Sequence, residues 1–337
     1  MKKRTTVISI VLILILTIVA FSGCQKMPVT TGIDFSYKLS SIMVDSNNRL
    51  WFLEPNANAI GTMDLSTFNV TEYTVPTNNS GLAGICQGTD GNIWFTESNV
   101  DKIGVVDLST GHITEYGLST AGVGLMGIAS GIDGNLWFTE ATGNQINNYS
   151  PASNKITGWD APVANAGLSS IISAPDGNMW FIERNANKIG KISQLTGNIT
   201  EYNVPSSNAG LSSIALDADG NVWFTESNRN KIGKLTPATN NVDEYSGVIS
   251  KGAGLNGITI DTYGNVWFTE ANINKIGRFL PNGQIITEYP VSTAGAGLAG
   301  ITTDSSGNIW FTEGKTFKLG KFNPSDFSIT EYDIVRQ

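Results

Sequence analysis

Seven glutamates recur along this 337-residue chain at nearly constant spacing, and they are the residues whose type and number could do chemistry. They are Glu54, Glu97, Glu140, Glu183, Glu226, Glu270 and Glu313. Carboxylates that a fold brings together can bind divalent cations, or transfer protons where burial shifts their pKa. Histidine chemistry is restricted, because the only histidine is His112. It is predicted to lie in an exposed turn.

Lysines distinguish five of these glutamates from the other two. Five residues after the glutamate, five repeats carry Lys102, Lys188, Lys231, Lys275 and Lys318. Exposed pairs of this kind would contribute about 0–1 kcal/mol each. At the same spacing, Ala59 follows Glu54 and Gln145 follows Glu140. We hypothesise that Glu54 and Glu140 are uncompensated and attract a cation or an amine, and the alternative is drift at tolerant positions.

The elements that position the glutamates are repeats marked by tryptophan. Each glutamate ends a phrase such as N-I-W-F-T-E, whose tryptophans are Trp51, Trp94, Trp137, Trp180, Trp223, Trp267 and Trp310. The intervals are 43 residues, with one of 44. This period and the turn-separated β-forming runs predict an all-β, seven-bladed β-propeller over residues 35–337, with four antiparallel strands per blade.

Within a blade, small and apolar residues form the first strand, which we place at the crowded central channel. Adjacent Trp and Phe must point to opposite faces of the second strand, so each blade presents an aromatic side chain to each neighbour. The seven glutamates are then expected around the mouth where the first strands begin. The residues predicted to face this mouth and bind a ligand are Met126, Ser169, Ser212 and Asn256, with Glu54 and Glu140. Glu54, Glu140 and Glu313 are the candidate metal ligands.

The N-terminus has the features of a targeting segment. Lys2, Lys3 and Arg4 precede an apolar stretch of about 15 residues, shorter than the roughly 20 that span a bilayer. Ser22-Gly23-Cys24 follows and resembles a bacterial lipobox. We therefore predict a lipoprotein signal peptide at 1–23, lipidation of Cys24, and a linker at 24–34. The expected location is extracytoplasmic, anchored to the membrane of the cell envelope, and the alternative is ordinary secretion.

Charge and cysteine content limit the partners and the crosslinks. Without residues 1–23 the chain keeps 18 basic and 29 acidic residues, a net charge of −11. Such an acidic surface repels nucleic acid and anionic lipid. Beyond Cys24 only Cys86 remains, so no intramolecular disulfide is expected. We expect a monomer that does not bind nucleic acid and whose partner is a small molecule, a peptide or an envelope protein.

The repeated phrase W-F-T-E-x-x-x-N-K-I-G, followed by I-T-E-Y, resembles the virginiamycin B lyase (streptogramin B lyase) family. It is nearly whole at Trp180–Ile192 and Trp223–Leu235. The resemblance implies a Mg²⁺-dependent lyase that opens a cyclic depsipeptide at an ester by proton abstraction and C–O cleavage. It also implies catalytic histidines just before the Gly-Ile pairs of the last two blades.

Residues of this chain depart from that implied catalytic set. Asn256 and Ala299 occupy the positions of the two histidines, and neither can act as a general base near neutral pH. Gly297 corresponds to a family acid, Ser40 to a substrate-contacting tyrosine, and a second acid aligns near Glu313 or Gly314. The sequence thus favours a binding propeller without identified catalytic residues. The alternative is a Mg²⁺-dependent C–O lyase of the family type.

Overall fold

The structure, a computed structural model, describes residues 39–334. These residues form 28 strands and no helix, arranged as seven sheets of four antiparallel strands. The architecture confirms the predicted seven-bladed propeller. The predicted signal peptide, the Cys24 lipidation site and the linker at 24–34 lie outside the described residues. None of the described residues forms a helix long and apolar enough to cross a membrane.

Each blade is one continuous stretch of chain whose strands pair in sequence order. The innermost strands are β1 (Ile42–Val44), β5 (Leu82–Gln87), β9 (Leu125–Ser130), β13 (Leu168–Ser173), β17 (Leu211–Leu216), β21 (Leu255–Ile260) and β25 (Leu298–Thr303). The second strands are β2 (Arg49–Glu54), β6 (Ile93–Glu97), β10 (Leu136–Glu140), β14 (Asn178–Glu183), β18 (Val222–Glu226), β22 (Val266–Glu270) and β26 (Ile309–Glu313).

The outer half of each blade completes the sheet. The third strands are β3 (Ala59–Asp64), β7 (Lys102–Val106), β11 (Gln145–Ser150), β15 (Lys188–Ser193), β19 (Lys231–Thr236), β23 (Lys275–Leu280) and β27 (Lys318–Asn323). The fourth strands are β4 (Val70–Thr74), β8 (Ile113–Gly117), β12 (Lys155–Asp160), β16 (Ile199–Asn203), β20 (Asn241–Tyr245), β24 (Ile285–Pro290) and β28 (Ser328–Asp333).

The blades are held together by seven apolar seams, and every seam contains a tryptophan from one blade and a phenylalanine from the next. Trp180 and Phe224, for example, share one buried cluster, and Trp223 and Phe268 share the following one. Alternation along the second strand produces this arrangement, because adjacent side chains point to opposite faces. Burying one such aromatic is worth roughly 1.5–3 kcal/mol, so the repeated Trp-Phe pair supplies much of the contact between blades.

The ring closes through the same kind of seam. Trp310 of the last blade packs with Phe52 of the first. The Thr312 hydroxyl also donates to the Ser40 carbonyl across this junction, at 2.8 Å. The last repeat supplies its own fourth strand, β28. Within residues 39–334, closure therefore involves packing and hydrogen bonds but no strand exchanged between the first and last blades.

Candidate functional site

The innermost strands carry a β-bulge where they approach the axis. In blade 2, Leu82 pairs with Glu97 and Ile85 with Phe95, so one extra residue is inserted on the inner strand. The same shift occurs in every blade from the second to the seventh. Bulges bend a strand and redirect its side chains. Here they coincide with the residue pairs that line the centre, such as Ala83-Gly84.

A threonine of the W-F-T-E phrase fixes most of these bulges. Thr96 accepts a hydrogen bond from the Gly84 N–H at 2.8 Å and donates one to the Met126 carbonyl of the next blade at 2.6 Å. One buried hydroxyl thus satisfies two backbone groups on two blades. At five of the seven blade junctions, an equivalent threonine hydroxyl donates a hydrogen bond to a carbonyl of the next blade.

The other two junctions use substitutes, because Leu53 and Ile182 replace the threonine. Between blades 1 and 2, the Ser41 hydroxyl donates to the Ala83 carbonyl at 2.7 Å. Between blades 4 and 5, the Arg184 Nε donates to the Leu211 carbonyl at 2.9 Å. The second substitution places a guanidinium at the mouth, where the other blades have a small residue or proline.

A central cavity of about 470 Å³ lies within the ring of innermost strands. Ligand sites in proteins are typically 300–1,000 Å³. Four of the residues predicted to face the mouth line it, namely Met126, Ser169, Ser212 and Asn256. Ser212 donates to the Asn256 amide oxygen at 2.9 Å. The lining also includes isoleucine side chains of the innermost strands, so polar and apolar groups both face the cavity. Its chemistry therefore suits a small amphiphilic molecule.

Three further predicted site residues lie elsewhere. Glu54, Glu140 and Glu313 are not among the residues that line the central cavity, and they are at most 4% exposed. Glu313 accepts a hydrogen bond from the Thr316 hydroxyl at 2.7 Å. In blades 2 to 7 the glutamates do lie opposite the first residue of the innermost strand, as Glu97 lies opposite Leu82, but they are not exposed at the mouth. All seven are buried, because the second strand is sandwiched between neighbouring sheets.

The predicted pairing of these glutamates with the lysines five residues later is also corrected. Lys102 does lie opposite Glu97 in the strand register, but its ammonium pairs with Glu115 of the fourth strand, at 2.9 Å. The other four blades repeat this choice of partner, in the pairs Lys188–Glu201, Lys231–Glu244, Lys275–Glu288 and Lys318–Glu331. Blade by blade, the second-strand and fourth-strand glutamates form what we call the carboxyl layer.

The two glutamates of a layer pair have opposite electrostatic character. Burial, reinforced by the Glu115 carboxylate, raises the pKa of Glu97 to about 8. Burial opposes the ionisation of Glu115 too, but hydrogen bonds from Thr77 and Lys102 outweigh it and lower the pKa of that carboxyl. A protonated inner carboxyl beside an ionised outer carboxylate follows, because two close like charges cannot both ionise cheaply. Within such a pair the inner carboxyl is therefore neutral, and the lysine balances the charge of the outer carboxylate.

Blade 3 has a different network at the same place. Gly158 replaces the outer glutamate, Asn147 replaces the usual third-strand glycine, and Gln145 replaces the lysine. Gln145 donates to Asp160 at 2.7 Å. Burial and, to a smaller extent, the Asp101 carboxylate raise the pKa of Glu140 to about 7, although an interaction with the Asn147 side chain opposes the shift. The three replacements lie at the repeat positions nearest Glu140, which is itself buried.

Sequence reasoning missed Arg184, the one charged side chain among the residues of the 39–334 segment that line the central cavity. Comparison of the seven repeats could have identified Arg184, because no other blade has a charged residue at this position. The residue directly after the repeated glutamate is Pro55, Ser98, Ala141, Ser227, Ala271 or Gly314 in the other blades. His112 lies in the exposed turn between β7 and β8, as predicted. No cluster of three or more His, Cys, Asp or Glu residues suited to a metal occurs in residues 39–334.

Comparisons with known proteins agree with this architecture. The structure of virginiamycin B lyase from Staphylococcus aureus is 33% identical over 84% of this chain and 94% of its own, with a TM-score of 0.79. A streptogramin B lyase structure is 34% identical, covering 84% and 92%, with a TM-score of 0.79.

A third similar structure is a catalytically inactive histidine-to-alanine variant of the Staphylococcus aureus enzyme with quinupristin. It is 32% identical over 88% of this chain and 97% of its own, with a TM-score of 0.80. The comparison with curated proteins found no match. The model of the virginiamycin B lyase family matches residues 33–246 and, in an overlapping alignment, residues 112–337. The chain therefore belongs to the virginiamycin B lyase family.

Proposed function

We propose that this propeller is an envelope-anchored lipoprotein that binds a small molecule, a peptide or a segment of a partner protein in its central cavity, without lyase catalysis of the family type. The observation that carries the proposal is the cavity lining itself. It combines hydroxyl and amide groups with apolar walls, and it includes Asn256 and Ala299 at the positions that the family resemblance assigns to histidines.

The inactive Staphylococcus aureus variant supports the separation of binding from catalysis. In that protein a histidine-to-alanine change gives a catalytically inactive form, and its structure was determined with quinupristin. Here both positions lack histidine. Among residues 39–334 no other general base lines the central cavity, because the second-strand glutamates are buried in the carboxyl layer and His112 lies in an outer turn. A ligand could enter without meeting a group that abstracts its proton.

The alternative function is Mg²⁺-dependent opening of a cyclic depsipeptide, which family membership favours. Magnesium prefers carboxylates and water in an octahedral shell. The donors that line the cavity do not fit this requirement, because they are hydroxyls, backbone groups and the Asn256 amide, beside the Arg184 cation. Glu54, Glu140 and Glu313 would have to leave buried positions to serve as ligands. The described residues that line the cavity therefore do not form a magnesium site.

The decisive experiment mixes the purified chain with quinupristin and with a panel of short peptides, with and without Mg²⁺. Calorimetry measures binding, and chromatography with fragment mass spectrometry detects ring opening, because elimination leaves the mass unchanged. We expect saturable binding and intact quinupristin. Turnover would contradict the proposal and establish the alternative, and absence of binding across the panel would contradict a cavity ligand of this class.

A pair of tryptophan substitutions locates the binding. Met126→Trp fills the cavity from its lining and should abolish binding. Leu195→Trp is the control, because Leu195 is 93% exposed in a turn outside the lining, and it should bind normally. For the anchor, palmitate labelling should mark the wild-type chain and not a Cys24→Ser variant. Equal labelling of the two would contradict lipidation at that residue.

A further inference from the structure

Arg184 departs from the repeat in a way that creates an available cation. The W-F-I-E-R sequence of blade 4 replaces both the bridging threonine, by Ile182, and the small residue after the glutamate, by Arg184. Nε takes over a junction hydrogen bond by donating to the Leu211 carbonyl. In the described part of the chain no hydrogen bond engages the two terminal amino groups. The side chain is exposed at the cavity.

The surroundings make this guanidinium the dominant charge of the cavity. The chain as a whole is acidic, yet none of the described residues that line the central cavity carries a carboxylate. The neighbouring Glu183 is turned into the carboxyl layer, where burial and the Glu201 carboxylate raise its pKa to about 7. Arg184 thus faces polar but uncharged walls. A planar guanidinium whose two terminal amino groups are free binds a carboxylate with better geometry than an ammonium group would.

A second, independent observation comes from the adjacent inner strand. Ser169, which is only 7% exposed, lines the same cavity, and its buried hydroxyl has no hydrogen-bond partner among the described residues. A buried hydroxyl without a partner is costly. A ligand that accepts its hydrogen bond would remove this cost. The unpartnered hydroxyl and the free guanidinium donors belong to consecutive parts of blade 4, on β13 and directly after β14.

We propose that the cavity recognises a small organic monocarboxylate, with the carboxylate on Arg184 and an apolar portion against the isoleucines of the innermost strands. This rests on the proposed binding function and names its ligand class. One cation balances one negative charge. A phosphate dianion would leave a surplus negative charge in an already acidic protein, so a carboxylate is the favoured anion.

The test uses calorimetry of the full chain with N-acetyl-L-leucine and with its neutral methylamide at low ionic strength. The acid should bind saturably with one site per chain, and the amide should bind about tenfold more weakly or not at all. Added salt should weaken only the acid, because screening acts on the charged pair. Inorganic phosphate should compete weakly.

Three variants connect the effect to the residues. Arg184→Gln should lower affinity for the acid about tenfold without changing affinity for the amide, Arg184→Lys should have an intermediate effect, and Ser169→Ala a smaller one. Arg229→Gln is the matched control, because Arg229 lies in the corresponding turn of blade 5, donates to the Ser207 carbonyl and is outside the lining. Tryptophan fluorescence confirms that each variant is folded.

The possible negative results distinguish the carboxylate assignment from the proposed binding function. Equal binding of acid and amide, no detectable binding of the acid, or an unchanged affinity in folded Arg184→Gln would overturn the carboxylate assignment. If quinupristin or a peptide still bound and Met126→Trp still blocked it, the proposed binding function would stand without this ligand class. Loss of every ligand in the wild type would contradict both.

Discussion

The carboxyl layer and the central cavity lie side by side along every blade, yet they treat charge in opposite ways. In blade 2, Glu97 pairs with Leu82, the residue just before the cavity-lining Ala83. The layer concentrates acids and neutralises them with protons, lysines and hydroxyls. Among the described residues that line the cavity, Arg184 is the only charged one, and its side chain is exposed. The difference indicates that the regular residues serve the scaffold and that a departure from the repeat marks the candidate site.

The largest expected effect is a loss of stability when a residue of a seam between blades, rather than a residue of the cavity, is truncated. Phe224→Ala should lower the free energy of unfolding by about 3–5 kcal/mol, because it removes a fully buried ring from a seam between blades. Met126→Ala should cost less than about 1 kcal/mol, since that side chain borders open space. Urea unfolding followed by tryptophan fluorescence measures both. Similar costs for the two would remove the distinction between scaffold and site.

A second prediction concerns pH and the carboxyl layer. Burial and the Glu244 carboxylate raise the pKa of Glu226 from 4.5 to about 7. Such an acid stabilises the fold fully below pH 4.5 and loses this contribution as pH rises through its folded value. The free energy of unfolding should therefore fall between pH 5 and 8. For Glu226→Gln the fall should be shallower, by up to about 1.4 kcal/mol per pH unit.

The control for this titration is Asp107→Asn. Asp107 lies in an exposed turn, where hydrogen bonds from Ser109 lower its pKa. Because its carboxylate is already ionised above pH 5, its replacement should leave the slope between pH 5 and 8 unchanged. A wild-type stability that is flat or rises over this interval would contradict protonated carboxyls in the layer.

The smallest expected effect concerns blade 3, where the residues of the carboxyl layer differ from those of the other blades. Gly158→Glu alone should cost about 1 kcal/mol, since it adds an acid without its lysine and a Cβ there would lie 2.3 Å from the Asn147 oxygen. Adding Gln145→Lys and Asn147→Gly restores the repeat and should recover the loss. Chemical unfolding of the single and triple variants measures this coupling. Strict additivity would mean that the three positions are independent.

Much of the fold could be predicted from the sequence because its determinants are local and repeated. The tryptophan period defines the blades, and the adjacency of Trp and Phe predicts the two apolar faces. The four cavity residues followed from their place on the first strand. Residue spacing failed where three strands meet. The spacing predicted an ion pair between Lys102 and Glu97, which are neighbours in the strand register. It could not show that the Lys102 ammonium pairs with Glu115 of the fourth strand instead.

Arg184 shows a second limit of sequence reasoning. Its role depends on two changes in one blade, the loss of the bridging hydroxyl at Ile182 and the gain of a guanidinium two residues later. Only the fold shows that both positions adjoin the innermost strand of the next blade. Comparison of equivalent positions across the repeats is the signal that could have found it.

Closure without an exchanged strand has a consequence for how such a chain can be rearranged. Each blade in residues 39–334 is one contiguous segment, so the junction between the last and first blades, like the six others, shares no strand between blades. New termini could be cut into any of the inter-blade loops, and the old ones joined, with no sheet divided. Duplication of one 43-residue segment would likewise add a whole building block, leaving ring curvature as the principal obstacle to a change in blade number.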